Sequence, residues 1–205
     1  MMAYQFVQGL RRSSLAIRSS LAALCHLLVS LAVVVIVGAA GLIQPTAALI
    51  QPTAAMAAQA QAGGWSRYRD PLYGFFIAYP NNVFRPDDSG DVAGARSFVS
   101  RDGRAKLLVG AFANETGDSM AQYRAYILKQ SYAGADIDYA PVRRRFFVLS
   151  GTRNGVIFYE RVSFTCGGDI INSWAMVYPE EEKNFYDRVV EAVAKTYRPG
   201  SRVCQ

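Results

Sequence analysis

Residues 21–43 read LAALCHLLVSLAVVVIVGAAGLI, a run of 23 residues without a charge. Arg11, Arg12 and Arg18 precede it, and the next charged residue is Arg67. A basic flank, a long apolar stretch and an Ala-rich exit have the form of an export signal. The run is also long enough to span a bilayer as a helix, which takes about 20 residues. The chain therefore divides before any folding pattern is read. Residues 1–60 are a signal peptide or an N-terminal membrane anchor: an apolar helix followed by an Ala/Pro/Gln-rich linker. Residues 61–205 remain to form a single extracytoplasmic domain, a length that usually carries one core.

The linker bears on which of the two it is. LIQPTAA occurs at 42–48 and again at 49–55, and Pro45 and Pro52 interrupt any helix there. Ala58-Gln59-Ala60 has the small-x-small form that precedes a cleavage site, here before Gln61. Cleavage predicts a periplasmic or secreted protein. Retention predicts a single-pass inner-membrane protein whose only membrane contact is residues 21–43. Basic residues flank the run on its N-terminal side alone, so the domain lies outside in both cases. Arg11-Arg12 is followed by Ser13-Ser14, a poor match to a twin-arginine signal.

Charge and cysteines follow the same division. The chain carries 22 basic and 16 acidic residues, a net +6. Three of the basic residues precede Gln61 and none of the acids does, which leaves the domain at +3. That is too mild and too scattered for nucleic acid, which leaves a clustered basic footprint. Cys25 falls in the apolar run, and Cys166 and Cys204 are an even pair in an oxidising compartment, which favours a disulfide. Cys166 ends a strand-like run and Cys204 lies past the final helix. A helix that returns across the sheet would bring the two within the roughly 7 Å that a bridge needs. The one histidine, His26, is in the apolar run. The domain thus lacks the means for Ser-His-Asp or Cys-His catalysis and for a histidine metal site. Ser-x-x-Lys is absent as well. No catalytic, cofactor-binding or metal-binding residue is assigned, and no cofactor is expected.

The periodicity predicts the order βββαββββα. GFFIAYP (74–80), ARSFVS (95–100) and AKLLVGAFA (105–113) read as strands, the last two joined by Arg101-Asp102-Gly103-Arg104. Asn81 to Gly94 reads as a loop. Ser119 with Gln122 forms a capping box, and Met120, Tyr123 and Ile127 follow at helical spacing until Gly134. Strands return at 136–142, 144–151, 156–166 and 169–179, with Asn154-Gly155 and Gly167-Gly168 as tight turns. In 156–166, Val156, Phe158, Val162 and Phe164 alternate and should face inward, with Cys166 on their parity. Pro179 should open the last helix, whose stripe is Phe185, Val189, Ala192 and Val193 with Tyr186, Val190 and Tyr197 alongside. The expected class is α+β: an antiparallel sheet of about six to seven strands with helices packed on it.

Gly-Phe-Phe-Ile-Ala-Tyr-Pro at 74–80 resembles the GF-x-F-x-YP first strand of PsbP-like domains, and the element order is similar over roughly residues 65–198. The resemblance implies an α/β/α sandwich of exported accessory and binding proteins, typically not enzymes. A histidine metal site of such relatives does not carry over, because this domain has no histidine. In general style the chain also resembles uncharacterised secreted proteins of alphaproteobacteria.

Arg143, Arg144 and Arg145 form the densest positive run, either a patch for an anionic partner or gatekeeping charges beside Phe146-Phe147. Asp87, Asp88 and Asp91 carry oxygens that calcium uses, but D-D-S-G-D lacks the full loop pattern and its terminal glutamate. Asp102, Asp136, Asp138 and Glu160 are the acids a histidine-independent hydrolase would pair, although no spacing brings two together. Trp65, Tyr68, Tyr73, Trp174 and Tyr178 either line a ligand groove or fill the core. Asn114-Glu115-Thr116 has the form of a glycosylation acceptor, without meaning in a bacterium. The reading is an exported, non-enzymatic accessory or binding domain for an unidentified protein or small-molecule ligand. Its alternatives are the membrane-anchored protein and the histidine-independent hydrolase.

Overall fold

The computed structural model describes residues 64–204. The signal peptide or anchor expected at residues 1–60 lies outside the described residues. Strands run over β1 (Trp65–Arg69), β2 (Phe76–Pro80), β3 (Phe84–Pro86), β4 (Ala95–Ser100) and β5 (Lys106–Ala113). After α1 (Met120–Gln130) come β6 (Asp136–Tyr139), β7 (Phe146–Arg153), β8 (Val156–Thr165) and β9 (Ile170–Pro179), and α2 (Lys183–Thr196) closes the series. The main sheet has seven strands in the order β3-β4-β5-β9-β8-β7-β6, every neighbouring pair antiparallel. The class is α+β, as the patterning indicates.

Two short strands add to the expected set and change one assignment. GFFIAYP supplies β2, which pairs with β1 in a separate two-stranded sheet rather than joining the main one. The main sheet's edge is instead β3, inside the stretch whose composition indicates a loop, where buried Phe84 pairs with Ser100. Three residues between Asn81-Asn82 and Pro86-Asp87 are too few to show a period of two.

The turns follow local chemistry. Asn154 and Gly155 both have positive φ, 55° and 74°, as a two-residue hairpin loop between β7 and β8 demands. Ser119 Oγ accepts from Gln122 N while Gln122 Oε1 accepts from Ser119 N, so the capping box is complete. Pro179 remains extended (φ −61°, ψ 139°) as the last residue of β9, opposite Val156. Glu180–Glu182 then make a single 3-10 turn, so α2 starts at Lys183 and not at the proline.

Each face of the sheet is covered. On one side lie α2 and the β1–β2 pair: Leu107, Val109, Trp174 and Met176 pack with Tyr186, Val189, Val190, Val193 and with Phe75 and Ile77. On the other side α1 buries Tyr123 and Ile127, with Tyr123 against Phe147 and Phe164. β9 is buried at every position because it has a strand on each edge and a layer on each face. The same position corrects the one-faced reading of β8. Phe158 and Val162 lie under α1, and Ile157 is equally buried in the core under α2. Cys166 leaves the strand's alternation at φ 54° and packs with the α2-side core, not with Phe158 and Val162.

The chain end is tied twice. Gly200 N donates to Asn172 Oδ1 at 2.6 Å, and Thr165 Oγ1 donates to Gly200 O at 2.6 Å. A Cβ at Gly200 would collide with the backbone of Tyr73 and Phe75, so only glycine allows this crossing. Past it, Cys204 is disulfide-bonded to Cys166 with Cα atoms 4.9 Å apart, as the cysteine pair indicates.

Candidate functional site

Arg143–Arg145 lead into β7 along a turn. Arg143 N donates to Phe146 O at 2.8 Å, and Arg145 O accepts from Phe164 N at 3.2 Å, which moors the backbone to β8. The three side chains stay exposed. They rim a concavity of about 740 Å³ that is also lined by Phe146, Arg161, Phe164, Cys166 and Pro199. Arg161, on β8, lays its guanidinium over the Phe146 ring at 4.0 Å. No carboxylate lines the concavity, and among the described residues none of these four arginines is in an ion pair. Four guanidiniums that share one apolar-walled groove without counter-charge form an anion-attracting field.

Behind Arg161 lies the α2-side core, in which Trp174 and Tyr197 are buried. Arg161 pairs directly across the ladder with Trp174 of β9, which places both on the α2 side of the sheet. The Trp174 ring lies 6.1 Å from that of Tyr197 at the end of α2. Arg161 Nε, Trp174 Nε1 and Tyr197 Oη are all buried without a hydrogen-bond partner. Burial raises the Tyr197 hydroxyl's pKa, and the Arg161 charge pulls in the opposite direction. Sequence reasoning missed this trio. Counting back from the Gly167-Gly168 turn sets 161 opposite 174, so the register held the signal.

The remaining residues disperse. Asp88 and Asp91 both pair with Arg96, and Asp87 accepts from Ser89 N and Ser89 Oγ, so all three serve the loop. Asp102 sits in the β4–β5 turn. Burial pushes its carboxyl up, but bonds from Ser100 and Arg104 outweigh this and hold it below the usual range. Glu160 is buried in the core, where it accepts from Tyr132 Oη and Ser173 Oγ, each at 2.6 Å. Burial raises its pKa, partly offset by those two bonds. Asp136 and Asp138 are on β6, the opposite edge of the sheet from β3. Asp138 shares a second concavity of about 490 Å³ with Glu180, Asp187, Glu191 and Lys183. There Asp187 accepts from Tyr178 Oη at 2.7 Å and pairs with Lys183. The four acids a hydrolase would pair are thus spread over a turn, a core and an edge strand. Trp174 and Tyr178 are core residues, Tyr68 and Tyr73 pack against that core, and Trp65 is exposed. Asn114 is committed to Asp118 O and Gly168 O through its amide.

No protein-family model matches the chain, and no curated protein matches it either. Solved structures do. The solution structure of cyanobacterial PsbP (CyanoP) from Synechocystis superposes with a TM-score of 0.50 at 13% identity, over 67% of this chain and 93% of that one. The fold is PsbP-like. The Ran-binding protein Mog1p of Saccharomyces cerevisiae also superposes, with a TM-score of 0.48 at 9% identity, over 68% of this chain and 97% of that one. At such identities the likeness is one of fold, and the arginines and the disulfide are described from this chain's own residues. α2 lies on one face of the sheet, and the groove lies at the start of β7.

Proposed function

We propose that the chain is an exported accessory or binding domain that holds an anionic ligand in the arginine groove. The observation that carries this reading is the groove's uncompensated charge: Arg143, Arg144, Arg145 and Arg161 line it and no acid does. Export is supported by the basic flank and apolar run of residues 11–43. An accessory role is supported by the resemblance to PsbP-like domains. The hydrolase alternative gains little, since Asp102, Asp136 and Glu160 belong to separate parts of the fold.

The test uses the full chain, expressed with its own leader and recovered as its cells process it. Polyphosphate is titrated by calorimetry at low and at high salt. The expected result is binding that weakens with salt and falls by about tenfold or more in the triple variant R143S/R144S/R145S. Undiminished binding by that variant, or none by the parent chain, would reject the groove as the site.

A further inference from the structure

β6 is an edge of the seven-stranded sheet, with β7 on one side and no strand on the other. All four of its residues are exposed. The chain stays beside β7 past Tyr139: Val148 N donates to Pro141 O and Arg143 N donates to Phe146 O. Val142, between these two bonds, therefore turns its own N–H and C=O away from β7, toward the open side. The edge is apolar as well as open. Ile137, Tyr139 and Val142 are 38%, 50% and 47% exposed. A register shift sets Ile137 beside Gly151 and Tyr139 beside Ser150, so these two side chains leave toward opposite faces of the sheet. An open edge that carries apolar side chains on both faces is a template for another strand.

Charge decides which strand that is. Residues 136–145 read DIDYAPVRRR, with Asp136 and Asp138 at the start and Arg143, Arg144 and Arg145 at the end. Among the described residues none of these five is in an ion pair. A second copy laid alongside in parallel would set acid on acid and arginine on arginine, which is destabilising. Laid antiparallel about a two-fold axis, it sets the acids of each copy against the arginines of the other, twice over. Charges that serve only to repel neighbouring edges work with a single sign. Opposite signs at the two ends make the segment complementary to itself. The other edge of the sheet, β3, has three residues and ends on exposed Arg85 and Pro86, and a proline offers no donor. Pairing through β6 occupies that edge in both copies and so closes at two.

We infer that β6 is a homodimer seam: two copies of the chain pair antiparallel along it, with Asp136 and Asp138 of each against Arg143, Arg144 and Arg145 of the other. The two sheets then run on as one, and Ile137, Tyr139 and Val142 are covered across the seam. The seam rests on the open edge and its two aspartates and does not depend on what the groove holds.

The test is sedimentation equilibrium of the full chain, recovered as its cells process it, over a concentration series at low and at high salt. A monomer–dimer equilibrium that weakens with salt is expected. Ile137→Lys places a charge within the seam at an exposed position and is expected to raise the dimer's dissociation constant about tenfold or more. Its circular dichroism should match the parent's. D136K/D138K sets lysines against arginines and is expected to abolish the dimer. Adding R143E/R144E/R145E to that pair exchanges the signs at both ends and should restore it. A general loss of folding would not be undone by three further substitutions, so the restored dimer reports the antiparallel seam itself. A chain that is monomeric at every concentration overturns the seam, as does a dimer indifferent to Ile137→Lys and to D136K/D138K. A dimer lost in D136K/D138K and not regained on the second exchange overturns the antiparallel pairing of acids with arginines. The groove reading is judged apart from this by polyphosphate titration: a chain that dimerises as expected and binds no polyphosphate keeps the seam and loses the groove, and a monomer that binds polyphosphate does the reverse.

Discussion

Glu160 is 6% exposed, sits beneath α1 and has no cation bonded to it. Its two partners, Tyr132 and Ser173, both donate, so the carboxylate is satisfied in hydrogen bonds but not in charge. Burial raises its pKa in the folded state above the unfolded value. The folded chain therefore binds this proton more tightly than the unfolded chain. The associated stability is complete below the unfolded carboxyl pKa and is lost as pH rises through the raised folded value. Glu160→Gln removes the charge and keeps an acceptor and a donor for the two hydroxyls. At neutral pH it is expected to match or exceed the parent's stability by roughly 1 kcal/mol, and to flatten the loss above about pH 4, as urea unfolding across a pH series would show. Glu160→Ala leaves the Tyr132 and Ser173 hydroxyls unpaired and should cost roughly 2–4 kcal/mol in the same measurement.

Among the elements, α2 depends most on the tail beyond its C-terminus. Its buried face is Tyr186, Val189, Val190 and Val193, and its C-terminal continuation is held by Gly200 and by the Cys166–Cys204 bond. The bond closes a loop of 38 residues, for which chain entropy gives on the order of 3–4 kcal/mol. Cys204→Ser is expected to lower the melting temperature by several degrees in a calorimetric scan, with no further loss when reductant is added. The parent should fall to the variant's value under that reductant. This bond was legible from the sequence, since only two cysteines follow the apolar run and they leave one pairing. So were the Asn154-Gly155 hairpin and the Ser119-Gln122 cap, where short-range chemistry decides the conformation. β3 was not legible, because three residues show no alternation and only the neighbouring β4 makes them a strand. The place of Arg161 was hidden for a different reason. Alternation in β8 points to one inward parity, which puts Arg161 on the open side. In the structure that side is covered by α2, so Arg161 becomes a half-buried neighbour of Trp174.

For the whole molecule, the open choice lies in residues 21–60. A peptidase acting after Ala60 would leave Gln61 as the first residue, three before the described domain begins at Gly64. Mass spectrometry of the native N-terminus is expected to find that Gln61 start in the soluble extracytoplasmic fraction. An intact Met1 or Met2 in the membrane fraction would establish the anchor instead. Whichever holds, the disulfide governs how tension crosses the domain. Pull on the two chain ends enters at Cys204, passes through the sulfurs to Cys166 and leaves through β8. β9 and α2 lie within the covalent ring, so their own backbone is bypassed by the covalent path of the load. The 38-residue separation between the cysteines, about 130 Å of extended chain, stays unavailable to stretching until the bond is reduced.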